Sequence, residues 1–187
     1  PFQVSPWMEN GNIREYVGRN QNADRMRLLS EVASGMEFLH EKGIVHGDLC
    51  GKSILINDEG KAFVSGFDLS ESLDVRGSAH LAYLYPNSRV RWLAPEMIAP
   101  EGVAPTTEDT DIWSFGLLCL EVFTGEDPYL PYSDLLVPVL LKNGMTPQHP
   151  GPMAVDLNPE MWALMESCWR MNPAERPGMS TIQSDDT

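Results

Sequence analysis

The chain has 187 residues, of which 42% are hydrophobic and 9% aromatic, as expected for one folded domain and not for a disordered chain. Its 13 basic and 27 acidic side chains give a net charge of −14, which argues against nucleic acid and anionic membrane surfaces as partners. No run reaches the ~20 apolar residues of a membrane span, and the 3 cysteines form no C-x-x-C pair, so we expect no disulfide framework, no zinc site and an intracellular, cytoplasmic location.

The first half of the chain combines predicted helices with short predicted strands. In chain order the patterns predict the end of a strand at 1–8, a short helix at 13–17, a helix from 24 to 43, strands at 44–45 and 54–56, a hairpin turn at 57–60 with a second strand at 61–64, and an irregular stretch at 70–89. Because the chain starts at Pro1 and not at Met, we expect it to be a fragment or a processed piece.

The second half is predicted to be helical around one buried helix. Residues 109–123 are apolar on almost every face, which is typical of a helix at the centre of a protein. Two further helices are predicted at 133–141 and 159–171, the first of them with a kink at Pro138. The predicted fold class is therefore mostly α with a small β-hairpin element.

Several short motifs follow one another between residues 46 and 177. They are H-G-D-L at 46–49, A-P-E at 94–96, D-I-W-S-F-G at 111–116, C-W at 168–169 and R-P at 176–177. Their types and order resemble those of the protein kinases, and the phrase R-W-L-A-P-E at 91–96 favours the tyrosine-kinase-like branch. The resemblance implies the kinase fold, with the larger helical C-lobe built around the buried central helix.

The resemblance implies a catalytic role for two residues of the loop at 46–53. Asp48 takes the position of the base that orients the substrate hydroxyl and accepts its proton during phosphoryl transfer. Lys52 lies at a position where tyrosine kinases carry a basic residue, and it would contact phosphate. The alternative for Asp48 is a loop carboxylate that caps a turn.

Five other residues match positions that are structural in the family. Asp111 would accept backbone hydrogen bonds from the catalytic loop, with a plain helix cap as the alternative. Glu96 and Arg176 would form a buried ion pair, and His46 and Phe67 would pack on the central helix. These roles concern the fold and not the chemistry.

The resemblance also implies positions for a nucleotide. The segment at about 4–12 resembles the hinge, so backbone groups of Pro6 and Met8 would meet the adenine edge and Asn12 would lie near the ribose. Leu55 would form the floor under the ring, although simple core packing explains Leu55 equally well. ATP and magnesium are the cofactors that the family implies.

The chain departs from the family pattern at its metal ligands. The triplet aligned with D-F-G is Gly66-Phe67-Asp68, so the acid is displaced by two residues, and Ser53 replaces the asparagine that binds the second magnesium. Cys50 replaces the usual lysine, and Gly47 replaces the arginine that pairs with a phosphorylated activation segment. We expect no metal site, and weakened binding of magnesium and ATP.

The sequence contains no Gly-rich phosphate loop and no V-A-I-K lysine, so we expect residues 1–187 to be a C-lobe without an N-lobe, with its activation segment at 66–96. Three hypotheses follow. The favoured one is a catalytically impaired, pseudokinase-like domain that binds a protein partner or the N-lobe of a parent chain. The others are an active ATP-dependent kinase for Ser/Thr or Tyr, if a parent chain supplies that lobe, and a decayed product without function.

Overall fold

The computed structural model describes residues 7–66, 89–98, 105–154 and 156–184. Within these ranges six α-helices and one antiparallel pair of strands form the regular structure, joined by short 3-10 turns. The elements are α1 (Ile13–Arg19), α2 (Arg25–Glu41), β1 (Ile54–Ile56), β2 (Ala62–Val64), α3 (Glu108–Thr124), α4 (Val137–Lys142), α5 (Pro159–Cys168) and α6 (Met179–Ser184). The predicted fold class, mostly α with a small β-hairpin, is confirmed.

Helix α3 forms the centre of the core. Thr107 and Thr110 cap its first turn reciprocally, side chain to backbone, and Gly125 ends it in the left-handed conformation with φ 73°. Its side chains are buried around the whole circumference, and it packs against α1, α2 and α5. The helix predicted at 109–123 therefore extends by one residue at each end.

The hairpin lies beside α2, with β1 paired to β2 in the register Ile54 to Val64. The chain at 10–12 runs along the other edge of β1. There Ile56 donates its backbone N–H to the carbonyl of Gly11 at 2.9 Å, and Asn12 forms a bridge with Leu55. Residues 10–12, the hairpin and α1 are thereby fixed to one another.

Some predicted elements are wrong or displaced. Residues 44–45 form no strand, because the Ile44 N–H donates to the carbonyl of Leu39 and closes the end of α2. The helix predicted at 133–141 begins only at Val137, so Pro138 lies in its first turn, where proline causes no kink. The helix predicted at 159–171 ends at Cys168, and α6 was not predicted.

Other predictions fall wholly or mainly outside the described residues. These are the strand end at 1–8, of which residues 7 and 8 are described, and the irregular stretch at 70–89, of which only Arg89 is described.

The three cysteines, Cys50, Cys119 and Cys168, are all buried and none forms a disulfide. Within the described ranges, no helix is long and apolar enough to cross a membrane.

Candidate functional site

The loop at 46–53 is held in place by Asp111, which is 1% exposed at the start of α3. The Asp111 carboxylate accepts the backbone N–H groups of His46 and Gly47, both at 2.8 Å. The ring of His40, from the end of α2, lies 2.9 Å from the same carboxylate. The cap of α3 is Thr107 and not Asp111, so Asp111 instead joins α2, α3 and the loop.

The hydrogen bonds of His46 set its tautomer. The Asp48 backbone N–H donates to Nδ1 of His46 at 3.2 Å, so the proton lies on Nε2, which donates to the carbonyl of Ser65 at 2.8 Å. Burial lowers the pKa of His46, which favours the neutral ring. The imidazole therefore ties the loop to the strand end after β2.

Asp48 does not project into open solvent. Its carboxylate forms an ion pair with the guanidinium of Arg89, and the Asp48 side chain is 8% exposed. Lys52 is exposed and lines a small pocket of about 60 Å³ together with Arg89, Arg14 and Cys50. The two residues predicted for catalysis, the acidic Asp48 and the basic Lys52, therefore both lie near Arg89, which the prediction did not include.

The two positions aligned with the metal ligands lie side by side, and neither fits magnesium. Gly66 offers no side-chain oxygen, and a Cβ on it would lie 3.3 Å from the Cβ of Ser53. The Ser53 hydroxyl accepts the Cys50 N–H at 3.0 Å and donates to the Cys50 carbonyl at 2.9 Å, in a residue that is 5% exposed. Magnesium prefers six oxygen ligands with good geometry, and these two residues provide at most one.

Phe67 and Asp68 lie outside the described residues. Within the described part of the chain, no group of three or more His, Cys, Asp or Glu side chains is placed to hold a metal ion.

Glu121 lies beneath the loop and is 1% exposed. Its Oε2 accepts the Gly51 backbone N–H at 2.9 Å and the Trp92 indole N–H at 3.1 Å, while Nη1 of Arg14 is 3.8 Å from Oε1. A Cβ on Gly51 would lie 2.4 Å from Oε1, so only glycine permits this approach. Burial raises the pKa of Glu121 to about 7.

The residues predicted to contact a nucleotide are brought together only in part. Asn12 and Leu55 are neighbours in the bridge along β1, and Leu55 is partly exposed. The Asn12 side chain accepts the Glu15 N–H at 3.0 Å and caps α1, and the Met8 carbonyl accepts the Gly11 N–H at 3.1 Å. Pro6 lies outside the described residues, and the nucleotide contacts of Pro6, Met8, Asn12 and Leu55 stay a prediction.

Glu96 and Arg176 form a two-pronged ion pair, with N–O distances of 2.6 and 2.8 Å. Arg176 also donates to the Asp109 carbonyl at 2.8 Å, and its guanidinium lies 5.1 Å from the ring centroid of Trp113. The pair fastens the A-P-E segment to the start of α3 and lies apart from the loop chemistry.

Three residues of the site were not predicted from the sequence, namely His40, Arg89 and Glu121. Glu121 carried a usable signal, because it is the sole charged residue between 112 and 124. No sequence signal marks His40 or Arg89, because their partners are distant in sequence and meet them only in the folded chain.

The chain is similar to known kinases along almost its whole length. A family model, protein tyrosine and serine/threonine kinase, matches residues 1–185. The tyrosine-protein kinase receptor svh-2 of Caenorhabditis elegans is 29% identical over 97% of this chain and 17% of its own length. The serine/threonine/tyrosine-protein kinase HT1 of Arabidopsis thaliana is 29% identical over 96% of this chain and 45% of its own.

The inactive tyrosine-protein kinase 7 of Gallus gallus is 30% identical over 97% of this chain and 18% of its own length. The chain thus spans less than half the length of each of these relatives. With the family model matched along nearly the whole sequence and the loop, α3 and the Glu96–Arg176 pair in their places, the chain belongs to the protein tyrosine and serine/threonine kinase family.

Proposed function

We propose that this kinase-family chain is catalytically impaired and acts by binding another protein. The observation that carries the proposal is the pair of metal positions, where Gly66 has no donor and the Ser53 hydroxyl is engaged by Cys50. One relative, the inactive tyrosine-protein kinase 7, is itself named as inactive. We also propose an intracellular location, in keeping with the buried thiols.

The expected loss of rate is large. Metal ions stabilise the charge of the transferred phosphoryl group by several kcal/mol. Since each ~1.4 kcal/mol corresponds to a tenfold change in rate, loss of both metal ligands lowers phosphoryl transfer on the order of 10³-fold or more. Even a free Asp48 carboxylate would orient a hydroxyl without holding a phosphate in line with it.

A binding role has its own support in the exposed apolar side chains before and within α4. Leu135 is 83% exposed, and Leu136 and Val139 are 40% and 50% exposed. Contiguous exposed apolar residues are typical of protein contact sites. A protein partner, or the N-lobe of a parent chain, is the class of ligand that we propose.

The alternative is an active ATP-dependent protein kinase whose N-lobe comes from a longer parent chain. The observation that favours it is the presence of Asp48 and Lys52 at the catalytic loop. In that case Asn12 and Leu55 would line the floor of the nucleotide site, and a side chain other than Gly66 and Ser53 would hold the metal.

The test measures phosphoryl transfer from radiolabelled ATP to the chain itself and to a generic protein, with and without magnesium. We expect transfer equal to that of an Asp48→Ala control. A parallel thermal titration with ATP is expected to show no magnesium-dependent rise in melting temperature. Transfer by the unmodified chain that requires magnesium and disappears in Asp48→Ala would establish the alternative.

A further inference from the structure

The ion pair between Asp48 and Arg89 connects the catalytic loop with the segment that precedes the A-P-E motif. Arg89 begins the short turn Arg89–Trp92, and Arg91 of the same turn donates to the carbonyls of Pro128 and Tyr132 at 2.8 and 2.7 Å. Two arginines therefore hold the turn: Arg91 binds the loop before α4, and Arg89 binds Asp48.

This pair differs from an ordinary surface ion pair in its burial. The side chains of Asp48 and Arg89 are 8% and 30% exposed, and burial lowers the pKa of Arg89. A guanidinium removed from water requires a compensating anion, and losing one partner of a buried pair costs far more than losing one at the surface.

The neighbouring carboxylates are occupied by other partners. The small pocket beside Arg89 is also lined by Glu121 and Asp127. Asp127 is paired with Arg14, and Glu121 accepts hydrogen bonds from Gly51 and Trp92. Among the carboxylates that the structure describes, Asp48 is therefore the one that compensates Arg89.

We propose that Arg89 converts Asp48 from a base into an anchor, so that the pair ties residues 89–98 to the catalytic loop and closes the carboxylate to a substrate hydroxyl. Gly47 has φ 74° and no side chain with which to hold this segment, and a Cβ there would lie 3.2 Å from Thr106. The basic group of this contact, Arg89, thus belongs to the segment and its acidic partner, Asp48, to the loop. Such a contact requires no phosphorylated residue. This inference extends the proposed function, because it gives Asp48 a role in a chain whose described metal positions, Gly66 and Ser53, do not fit magnesium.

The test is a double-mutant cycle with the isosteric Asp48→Asn and the shorter Arg89→Gln, two substitutions that remove charge. Urea unfolding of the four chains gives the coupling between the two positions. We expect the unfolding equilibrium constant to reveal a coupling of tenfold or more. The matched control is the more exposed pair Arg27 and Glu31, four residues apart on α2 with side chains 44% and 27% exposed, for which the coupling is about twofold.

Amide hydrogen exchange of residues 90–98 provides the second measurement. We expect it to quicken at least tenfold in Arg89→Gln and to stay unchanged in Arg27→Gln. A coupling no larger than that of the control pair, or exchange that does not change, overturns the proposal. If Asp48→Asn does not fold, exchange in Arg89→Gln alone decides the question.

The same variants separate this inference from the proposed function. Magnesium-dependent phosphoryl transfer gained by Arg89→Gln would show that Arg89 alone silences the chain, which supports the anchor and overturns impairment through the metal positions. Absent coupling together with absent transfer would overturn the anchor and leave the proposed function standing.

Discussion

Glu121 is a buried carboxyl whose charge works against the folded state. Its pKa is raised from 4.5 to about 7 by burial, against the opposing effects of the Gly51 N–H and Arg14. When folding raises the pKa of a carboxyl, the folded state binds the proton more tightly than the unfolded state does. The free energy of unfolding is therefore highest below the unfolded pKa and falls as pH rises through the folded pKa. The stability of the chain therefore falls as pH rises from 4.5 to about 7, and the loss is complete above that range.

We predict that Glu121→Gln removes this pH dependence. The amide oxygen can still accept from Gly51 and Trp92, because both bonds end on one carboxylate oxygen. The variant is expected to match the unmodified chain near pH 4.5 and to exceed its free energy of unfolding at pH 8 by about 3 kcal/mol. Urea unfolding at several pH values measures the difference, with exposed Glu59→Gln as control. Parallel pH profiles for Glu121→Gln and the unmodified chain would contradict the prediction.

The ion pair of Glu96 and Arg176 leads to a second prediction at the scale of single residues. Arg176 is buried, so removing its partner in Glu96→Gln leaves a buried charge without compensation and costs ~3–5 kcal/mol. The exposed Arg170→Gln is a suitable control, expected to change stability by less than about 0.5 kcal/mol. Thermal unfolding distinguishes the two, and equal effects of both variants would count against a structural role for the pair.

At the scale of elements, α3 determines whether the chain folds. Leu118 is 0% exposed within it, and an aspartate there would place an unpaired charge in the core. We predict that Leu118→Asp abolishes folding, seen as loss of the helical circular dichroism signal. Leu135→Asp, at a residue that is 83% exposed, is the matched control and is expected to melt like the unmodified chain. A folded Leu118→Asp chain would show that α3 is not the core.

The elements that could be predicted from sequence are those with strong local signals. The prediction for helix α3 is within one residue at each end, because its apolar pattern is continuous and Gly125 follows its last turn. The cap at Thr107 was not part of that prediction. The strand predicted at 44–45 is wrong because the Ile44 N–H donates to the Leu39 carbonyl and closes the end of α2. Hydrophobicity alone does not reveal that hydrogen bond. Residues 133–136 are not helical, since the helix starts beside Pro138 and not at the first periodic residue.

The candidate site was predictable where family motifs name residues, and not where distant residues meet. Asp111 and the pair of Glu96 and Arg176 follow motifs, and the structure places them in contact with their expected partners. The contact of Arg89 with Asp48 depends on how one segment crosses another. No local pattern encodes that crossing.

At the scale of the whole molecule, the net charge of −14 makes the surface self-repelling. Salt shortens the range of this repulsion, so we predict that stability increases by about 1 kcal/mol, or ~2–4 °C in melting temperature, between low salt and 0.15 M. Scanning calorimetry in sodium chloride and in choline chloride measures the effect, and equal increases identify screening. A decrease would show that attractive ion pairs dominate.

The burial of the three thiols makes alkylation a reporter of how the fold opens. Burial raises the pKa of Cys50 and raises the pKa of Cys168 to about 12, while Cys119 is 1% exposed within α3. Since only a solvated thiolate reacts, each cysteine is labelled at the rate at which its surroundings separate. Cys50 reports fluctuations of the loop at 46–53, Cys168 reports the separation of α5 from α3, and Cys119 reports exposure of the central helix itself. One reagent therefore distinguishes local opening from global unfolding.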